Sequence, residues 1–175
     1  FVGNIGVLQN PIVFLEIMKI FKEKGFDDFH FLFVGDGIML AQIKKICNEN
    51  KLKNIEFIGR VQREYIPGLM KISNVLVTNY VSDSHLDLYI PGKLFEYAIS
   101  EKPIVIGSRG DSKEFIEKYN LGKAVPPSDP DSFVRAILEV TDKSYNFSPK
   151  SSEFTQDYSL NNVAILYDNI LKQLG

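Results

Sequence analysis

The sequence has 175 residues, of which 45% are hydrophobic and 24% charged, with a net charge of −2 and a pI near 5.7. This length suits one domain, and the composition excludes disordered, coiled-coil and collagen-like chains. The small negative charge provides no basic field for nucleic acid. Two histidines and the single cysteine, Cys47, leave almost no material for a zinc site or a disulfide framework.

Short apolar runs alternate with helical segments along the chain, in the order typical of a parallel α/β sheet. Residues 1–2 resemble the tail of a strand running into a glycine loop, so we expect that an N-terminal domain is absent from this chain. The predicted strands are residues 1–2, 29–34, 55–58, 75–78, 104–106 and 122–125. The predicted helices begin near residues 10, 38, 64, 92, 111, 129 and 160.

These elements predict one domain over residues 1–175, a doubly wound, Rossmann-like sheet of about six strands with helices on both faces. Asn10 and Asp129 are each followed by proline, which predicts that both residues cap a helix. Residues 79–91 are predicted to form a long loop. A polar stretch, residues 144–152, separates the domain from a C-terminal helix within about residues 153–175, which we expect to act as a brace.

Four glycine-containing loops follow predicted strands, and the carboxyl ends of parallel strands are where such sheets bind ligands. A tight turn needs glycine in any case, but four such loops on one edge favour a ligand site. The loops are residues 3–6, 35–37, 59–60 and 107–110. None of them matches the G-x-G-x-x-G, Walker or G-x-S-x-G patterns, which disfavours dinucleotide binding, P-loop ATPases and α/β-hydrolases.

The most informative segment is residues 89–98, Tyr-Ile-Pro-Gly-Lys-Leu-Phe-Glu-Tyr-Ala. Pro91 and Gly92 predict a helix start whose free N–H groups form an anion site. Lys93 lies in the first turn, where a cation opposes the helix dipole unless an anion is bound. A solvated lysine, or a helical ion pair between Lys93 and Glu96, is the plainer alternative.

The sequence resembles the C-terminal, donor-binding domain of GT-B-fold glycosyltransferases of family 4, in particular bacterial sugar transferases for capsule, O-antigen or exopolysaccharide. The resemblance spans residues 1–143 and is carried by VGNIG, FLFVGDG, IEFIGRVQREYIPGLMKISNVLV, IPGKLFEYAISEKPIVIG and AVPPSDPDSFVRAI. It implies one half of a GT-B fold.

The resemblance also implies roles for individual residues. Glu96 would bind the ribose hydroxyls of a nucleotide-sugar, and residues 92–94 would meet its diphosphate. Residues 92–94 are Gly92, Lys93 and Leu94. Arg60 and Val61 would lie beside the nucleobase, and Gly3, Asn4 and Gly6 near the phosphates or the acceptor cleft. Gly35 and Asp36 would lie on the same edge. A helix cap is the plainer interpretation of Asp36.

Two departures from the family pattern concern the site. Leu88 stands where the family often has a first acidic residue eight positions before Glu96, and residues 4–9 contain no cation to hold the diphosphate. The loop around His85 contains Asp83 and Asp87, which suggests a metal or acid–base site, although a solvated loop beside the cleft is the plainer interpretation. The resemblance implies no metal and no cofactor, and we assign no catalytic residue.

We therefore expect the donor half of a retaining hexosyl- or N-acetylaminosugar transferase, which uses a nucleotide-sugar, with UDP favoured, and a lipid-linked or glycan acceptor. The fragment alone is expected to be inactive, and the full protein to be cytoplasmic or peripheral at the inner face of the membrane. A UDP-sugar 2-epimerase-like enzyme and a non-catalytic nucleotide-binding module remain alternatives.

Overall fold

The computed structural model describes residues 1–163 and residue 165 of the chain. Five parallel strands form two sheets in this part, with the orders β2–β1 and β3–β4–β5. The strands are β1 (Phe31–Val34), β2 (Ile55–Gly59), β3 (Leu76–Asn79), β4 (Ile104–Gly107) and β5 (Gly122–Val125). Parallel pairing throughout confirms the predicted α/β class.

The first predicted strand, residues 1–2, is reduced to a single bridge between Val2 and Val34. The backbone follows β1 only as far as Gly3, whose φ of +126° turns the chain away. Three residues are too few for a full ladder. The described part therefore has five strands and one bridge where about six strands were predicted.

Eight α-helices are named within the described residues, and two short 3₁₀ turns accompany them at Val7–Gln9 and Arg63–Tyr65. The helices are α1 (Ile12–Glu23), α2 (Leu40–Glu49), α3 (Ile66–Ile72), α4 (Ser84–Asp87), α5 (Gly92–Ile99), α6 (Gly110–Lys118), α7 (Pro130–Thr141) and α8 (Ser151–Asp157). No helix in this part of the chain is long and apolar enough to cross a membrane.

Helices cover both faces of the strands, as the side chains of β4 demonstrate. Val105 belongs to one buried cluster, which includes Phe14 of α1 and Phe133 of α7. Ile104 and Ile106 point to the opposite face and belong to a second cluster, with residues of α5 and α6. Alternate residues of a strand face opposite sides, so a strand buried on both faces must be apolar throughout.

The two predicted helix caps have different outcomes. Asp129 caps α7 as expected, because its carboxylate accepts a hydrogen bond from Ser132 N at 3.1 Å. Asn10 does not cap α1: its φ is +38°, and its side chain donates to Ser128 Oγ at 3.0 Å. The polar side chain is used in a contact between two loops, which the local sequence could not reveal.

One segment predicted as irregular contains a helix, since α4 interrupts the predicted loop of residues 79–91. α8 begins at Ser151, near the end of the predicted polar linker of residues 144–152, and extends into residues 153–175, where a C-terminal helix was predicted. Phe154 of α8 packs against Phe115 of α6, so an apolar contact accounts for this helix. Residues 160–163 are also helical, while most of the predicted helix near residues 160–174 lies outside the described residues.

The hydroxyl of Tyr97 lies between the two sheets. It accepts a hydrogen bond from Val2 N at 2.9 Å, and the carbonyl oxygens of Val2 and Val77 are each 3.4 Å away as acceptors for its proton. Burial raises the pKa of Tyr97, so this hydroxyl remains a neutral donor at physiological pH. Tyr97 therefore connects the β1 side of the fold to β3.

Replacing Tyr97 with phenylalanine is expected to lower the free energy of unfolding by about 2 kcal/mol, because Val2 N–H loses its partner in a buried position. Urea denaturation of the two chains measures this difference. Tyr65→Phe is the control, since Tyr65 is 62% exposed. Equal, small losses in both variants would show that the Tyr97 hydroxyl contributes nothing to stability.

Candidate functional site

Two glycine loops lie in backbone contact at the carboxyl edge of β1. Ile5 N donates to Asp36 O at 2.8 Å, and Met39 N donates to Ile5 O at 3.1 Å. Gly35 has a φ of +134°, and a Cβ added there would collide with the carbonyl oxygen of Gly3. Only glycine permits this approach, so residues 3–6 and 35–37 form one continuous rim.

The N-terminus of α5 faces this rim. Pro91 takes an extended conformation before Gly92, and Leu94 N donates to Pro91 O at 2.8 Å, which confirms the predicted helix start. Lys93 extends toward the other loop: a Cβ added at Gly3 would lie 2.9 Å from Lys93 Nζ. The first turn of α5 and residues 3–6 are therefore neighbours.

The ammonium group of Lys93 is buried without a hydrogen-bond partner among the described residues. It lies 4.3 Å from the centre of the Phe1 ring, a cation–π contact that compensates part of its lost hydration. Burial lowers the pKa of Lys93 to about 8, and the negative charge of Glu96 opposes this shift. A bound anion would supply the missing partner.

Glu96 pairs with an arginine and not with Lys93. Arg63 Nη2 is 3.7 Å from Glu96 Oε1, and the carboxylate side chain remains 48% exposed. The predicted alternative, a helical ion pair between Lys93 and Glu96, is absent from the ion pairs of the described residues. The side chain of Lys93 extends toward Gly3 and the Phe1 ring instead, because the first turn of α5 packs beside residues 3–6.

Asp36 also pairs with an arginine from the segment after β2. Its carboxylate lies 3.2 Å from Arg60 Nε and accepts a hydrogen bond from Gly37 N at 2.7 Å. Asp36 does not cap α2, whose N-cap position is Met39 without a side-chain cap. The plainer interpretation of Asp36 is thus wrong, because residues 37–39 intervene before the helix begins.

The remaining predicted donor-site residues differ in their exposure. Arg60 is exposed at the edge, and Val61 packs partly against the second core cluster. Leu94 is fully buried, so it contributes packing beneath the first turn of α5. Asn4 is exposed and donates to Gln9 Oε1 at 3.3 Å. Gly6 and Gly92 complete the edge, and open space surrounds the Cβ position of Gly92.

A buried polar cluster at the end of β3 was not predicted. Asn79 Nδ2 donates to Gln9 O at 3.1 Å, and Asn79 Oδ1 accepts from Ser128 N at 2.8 Å. These bonds join the loops after β3 and β5 to the turn before α1. An asparagine directly after the predicted strand of residues 75–78 was the available signal, since a buried amide at a strand end needs several partners.

The loop of residues 80–91 is held against α6. Ser112 Oγ donates to Tyr89 O at 2.7 Å, and a Cβ added at Gly110 would collide with the carbonyl of Asp87. Asp83 caps α4 by accepting from His85 N at 2.8 Å. No cluster of three metal-binding side chains occurs in the described residues. Leu88, at the family's acidic position, is 78% exposed.

With this geometry established, comparison with known proteins identifies the family. The sequence pattern described as "Glycosyl transferases group 1" matches residues 1–143. The chain belongs to this family. The resemblance drawn from the segments around Gly35, Arg60 and Glu96 is thereby confirmed.

Curated bacterial relatives are similar over most of the chain. "Probable glycosyltransferase WbjE" of Pseudomonas aeruginosa is 28% identical over 143 residues, which are 80% of this chain and 34% of the relative. "UDP-Gal:alpha-D-GlcNAc-diphosphoundecaprenol alpha-1,3-galactosyltransferase" of Escherichia coli is 26% identical over 144 residues, which are 81% of this chain and 35% of the relative. The chain spans about a third of the length of these relatives.

Solved structures support the fold. A mutant of Staphylococcus aureus TarM in complex with fondaparinux, alpha-GlcNAc-glycerol and UDP superposes with a TM-score of 0.78 at 15% identity. The match covers 96% of this chain and 34% of that chain. At this identity the similarity establishes architecture alone, and it confirms the predicted half of a GT-B fold.

The buried charge of Lys93 predicts a specific pH dependence of stability. Its pKa is about 8 in the folded chain against 10.5 as the ordinary value, so the unfolded chain holds more protons between these pH values. The contribution of Lys93 to stability therefore rises with pH across this window. Lys93→Met should be more stable than the natural chain at pH 7, and this advantage should shrink toward pH 10.

Thermal or urea unfolding at several pH values measures the difference in the free energy of unfolding between the two chains. All other titrating groups are common to both chains, so their pH dependence cancels in this difference. Lys71→Met is the matched control, since Lys71 is an exposed lysine on α3. A Lys93→Met advantage that stays constant from pH 7 to pH 10 would show that the ammonium is not destabilised by burial.

Proposed function

We propose that this chain is the donor-binding half of a retaining glycosyltransferase that uses a UDP-sugar. The nucleotide diphosphate binds between the first turn of α5 and residues 3–6, and the acceptor is a lipid-linked or glycan sugar. UDP is favoured because it is named in the TarM complex and in the Escherichia coli relative. The diphosphoundecaprenol in that relative's name supports the lipid-linked acceptor and a peripheral membrane location.

The observation that carries this proposal is the ammonium group of Lys93 at the N-terminus of α5, which lies beside the Gly3 loop and has no hydrogen-bond partner in the described part of the chain. A buried charge without a partner is costly, and a diphosphate is an anion that compensates both this charge and the helix N-terminus. The same charges would stabilise the UDP leaving group as the glycosidic bond to phosphate breaks. Such stabilisation requires no metal ion.

Glu96 has the position and the free acceptor capacity to bind ribose. It lies one turn beyond Lys93, and its carboxylate has only the 3.7 Å contact with Arg63 among the ion pairs described. Two ribose hydroxyls can donate to one carboxylate, and such charge-assisted bonds are strong. We therefore assign the ribose to Glu96, and the nucleobase to the segment of Arg60 and Val61.

Residues 35–37 complete the proposed donor site. Asp36 holds Arg60 by an ion pair, so it positions the segment beside the nucleobase and need not touch the ligand. Asn4 is exposed on the rim next to the proposed diphosphate. Because neither residue supplies a cation, compensation of the phosphate charge at the rim falls to Lys93 and the N-terminus of α5.

A non-catalytic nucleotide-binding module is a second candidate, and the exposed Leu88 favours it. An exposed leucine at this position provides no carboxylate to the sugar. Transfer by the full protein would exclude this candidate. The expectation that residues 1–175 alone transfer no sugar stays a prediction, based on the need for an acceptor site that the proposed donor half lacks.

Glu96→Gln should weaken UDP binding about tenfold, which is about 1.4 kcal/mol, because the variant loses the charge and one acceptor for ribose. Isothermal titration calorimetry with UDP measures the affinity. The melting temperature without ligand should change little, since the ion pair with Arg63 is exposed.

Glu114→Gln is the matched control for this titration. Glu114 is the fifth residue of α6, as Glu96 is of α5, and it is exposed. Its replacement should leave UDP affinity unchanged. If Glu96→Gln folds normally and binds UDP as tightly as the natural chain, the donor-site assignment is wrong.

Lys93→Met should weaken UDP binding at least tenfold and leave uridine binding nearly unchanged, because a charge-assisted contact to phosphate contributes about 1.5–3 kcal/mol. Titrations with both compounds at pH 7 measure the two affinities, with Lys71→Met as control. If the affinities for uridine and UDP fall by the same factor, Lys93 acts on the nucleoside, and the assignment of Lys93 to the diphosphate is wrong.

A further inference from the structure

The side chain of Asn79, the last residue of β3, is fully buried at a point where three loops meet. The loops are residues 3–10, 107–110 and 126–129. Asn79 Nδ2 donates to Gln9 O in the first loop at 3.1 Å, and Asn79 Oδ1 accepts from Ser128 N in the third at 2.8 Å. A Cβ added at Gly107 would collide with Asn79 Oδ1, so the second loop also packs against this amide.

Two of the residues in contact at this point have a strained backbone. Asn10 has a φ of +38° and Ser128 a φ of +56°, in the left-handed region that side chains other than glycine rarely adopt. Ser128 Oγ accepts from Asn10 Nδ2 at 3.0 Å and from Asn79 Nδ2 at 3.3 Å. Such strain persists only where the surroundings hold it, and it is frequent at ligand sites.

Gln9 transmits the hold of Asn79 to the rim. Its N–H donates to Gly6 O at 3.2 Å, and its side-chain oxygen accepts from Asn4 Nδ2 at 3.3 Å. Residues 4–9 are therefore closed into one unit by the backbone and the side chain of Gln9. Because Asn79 binds the carbonyl oxygen of the same residue, it fixes this unit to the end of β3.

The loop of residues 3–9 is thus attached on two sides. On the β1 side, Gly3 N donates to Val34 O and Ile5 N to Asp36 O, each at 2.8 Å. On the β3 side, Asn79 binds Gln9 O, and Val81 N donates to Leu8 O at 2.8 Å. Loss of the Asn79 amide would leave the β3 side with the bond from Val81, so the loop would loosen without being released.

The position of this backbone matters because the loop can offer a phosphate little else. Residues 4–9 include no lysine or arginine. The N–H groups of Asn4 and Gly6 donate to no acceptor in the described part of the chain, and the Lys93 ammonium lies beside the same loop. A hydrogen bond to a phosphate oxygen tolerates only a few tenths of an ångström, so a displaced loop loses it.

We infer that Asn79 is a positioning residue for the nucleotide diphosphate, which it serves by holding residues 3–9 so that their free N–H groups meet the phosphate oxygens beside Lys93. Asn79 touches no ligand itself, because its amide is buried and is used by Gln9 and Ser128. The inference rests on the proposed donor site. The competing explanation is an amide that contributes to stability alone.

The test is Asn79→Ala, titrated with UDP and with uridine at a temperature where the variant is folded. UDP affinity should fall about tenfold, because the loop that meets the diphosphate is loosened, while uridine affinity stays within about twofold. Asn120→Ala is the matched control. Asn120 also has a positive φ and donates to a distant carbonyl, Ser148 O at 2.7 Å, but it lies before β5, at the opposite edge of the sheet.

Hydrogen exchange without nucleotide provides a second measurement. In Asn79→Ala the amides of Gln9 and Val81 should exchange at least tenfold faster relative to Ile106 in β4, because the loop opens locally. In Asn120→Ala this ratio should be unchanged. A role in stability alone would accelerate all three amides together, since they would then exchange through global unfolding.

Ser128→Gly is a milder variant in case Asn79→Ala does not fold. It keeps the N–H that Asn79 Oδ1 accepts and relieves the positive φ, but it removes the oxygen to which Asn10 and Asn79 donate. This variant should remain folded and bind UDP about threefold more weakly, with uridine binding unchanged.

The outcomes separate the inference from the proposed function. If the natural chain binds UDP and the folded variants keep its ratio of UDP to uridine affinity, Asn79 has a structural role only, and the inference is wrong while the donor site stands. The same conclusion follows if both affinities fall by one common factor. If the natural chain binds no UDP, the proposed function fails, and the inference fails with it.

Discussion

The buried hydroxyl of Tyr97 determines where α5 lies, and the other features of the site depend on this position. It joins Val2 on the β1 side to Val77 in β3, at the point where the two sheets diverge. The same helix carries Lys93 one turn earlier, and Glu96 directly before the tyrosine. Anchoring Tyr97 at the centre of the fold therefore directs the N-terminus of α5 at the rim formed by residues 3–6.

The charges on this edge are distributed unequally. Both acidic residues have an arginine partner from the segment after β2, since Asp36 pairs with Arg60 and Glu96 with Arg63. Among the described residues, the ammonium group of Lys93 contacts the Phe1 ring, has no hydrogen-bond partner and is buried from water. An anion at the rim would therefore interact with the Lys93 ammonium group and the N-terminus of α5. Arg60 and Arg63 are exposed and remain paired with Asp36 and Glu96.

Differences between the predicted and observed contacts arise where two distant segments meet. Asn10 looked like a helix cap, but its side chain binds Ser128, which is remote in sequence. The spacing of Lys93 and Glu96 indicated a helical ion pair, yet Gly3 and Arg63 supply the actual neighbours. Local spacing predicts which groups can meet along one helix, and long-range packing determines which of them do.

The sequence alone was sufficient for the class of fold, the start of α5, the Asp129 cap and the family, because periodicity, capping and short motifs are local properties. The sequence also predicted that the glycine loops lie on one edge of the sheet, because the carboxyl ends of parallel strands all lie on the same edge. Only the tertiary structure could reveal the buried ammonium of Lys93 and the Asn79 cluster. Both depend on burial between segments distant in the chain, and a linear sequence does not specify which surfaces exclude water.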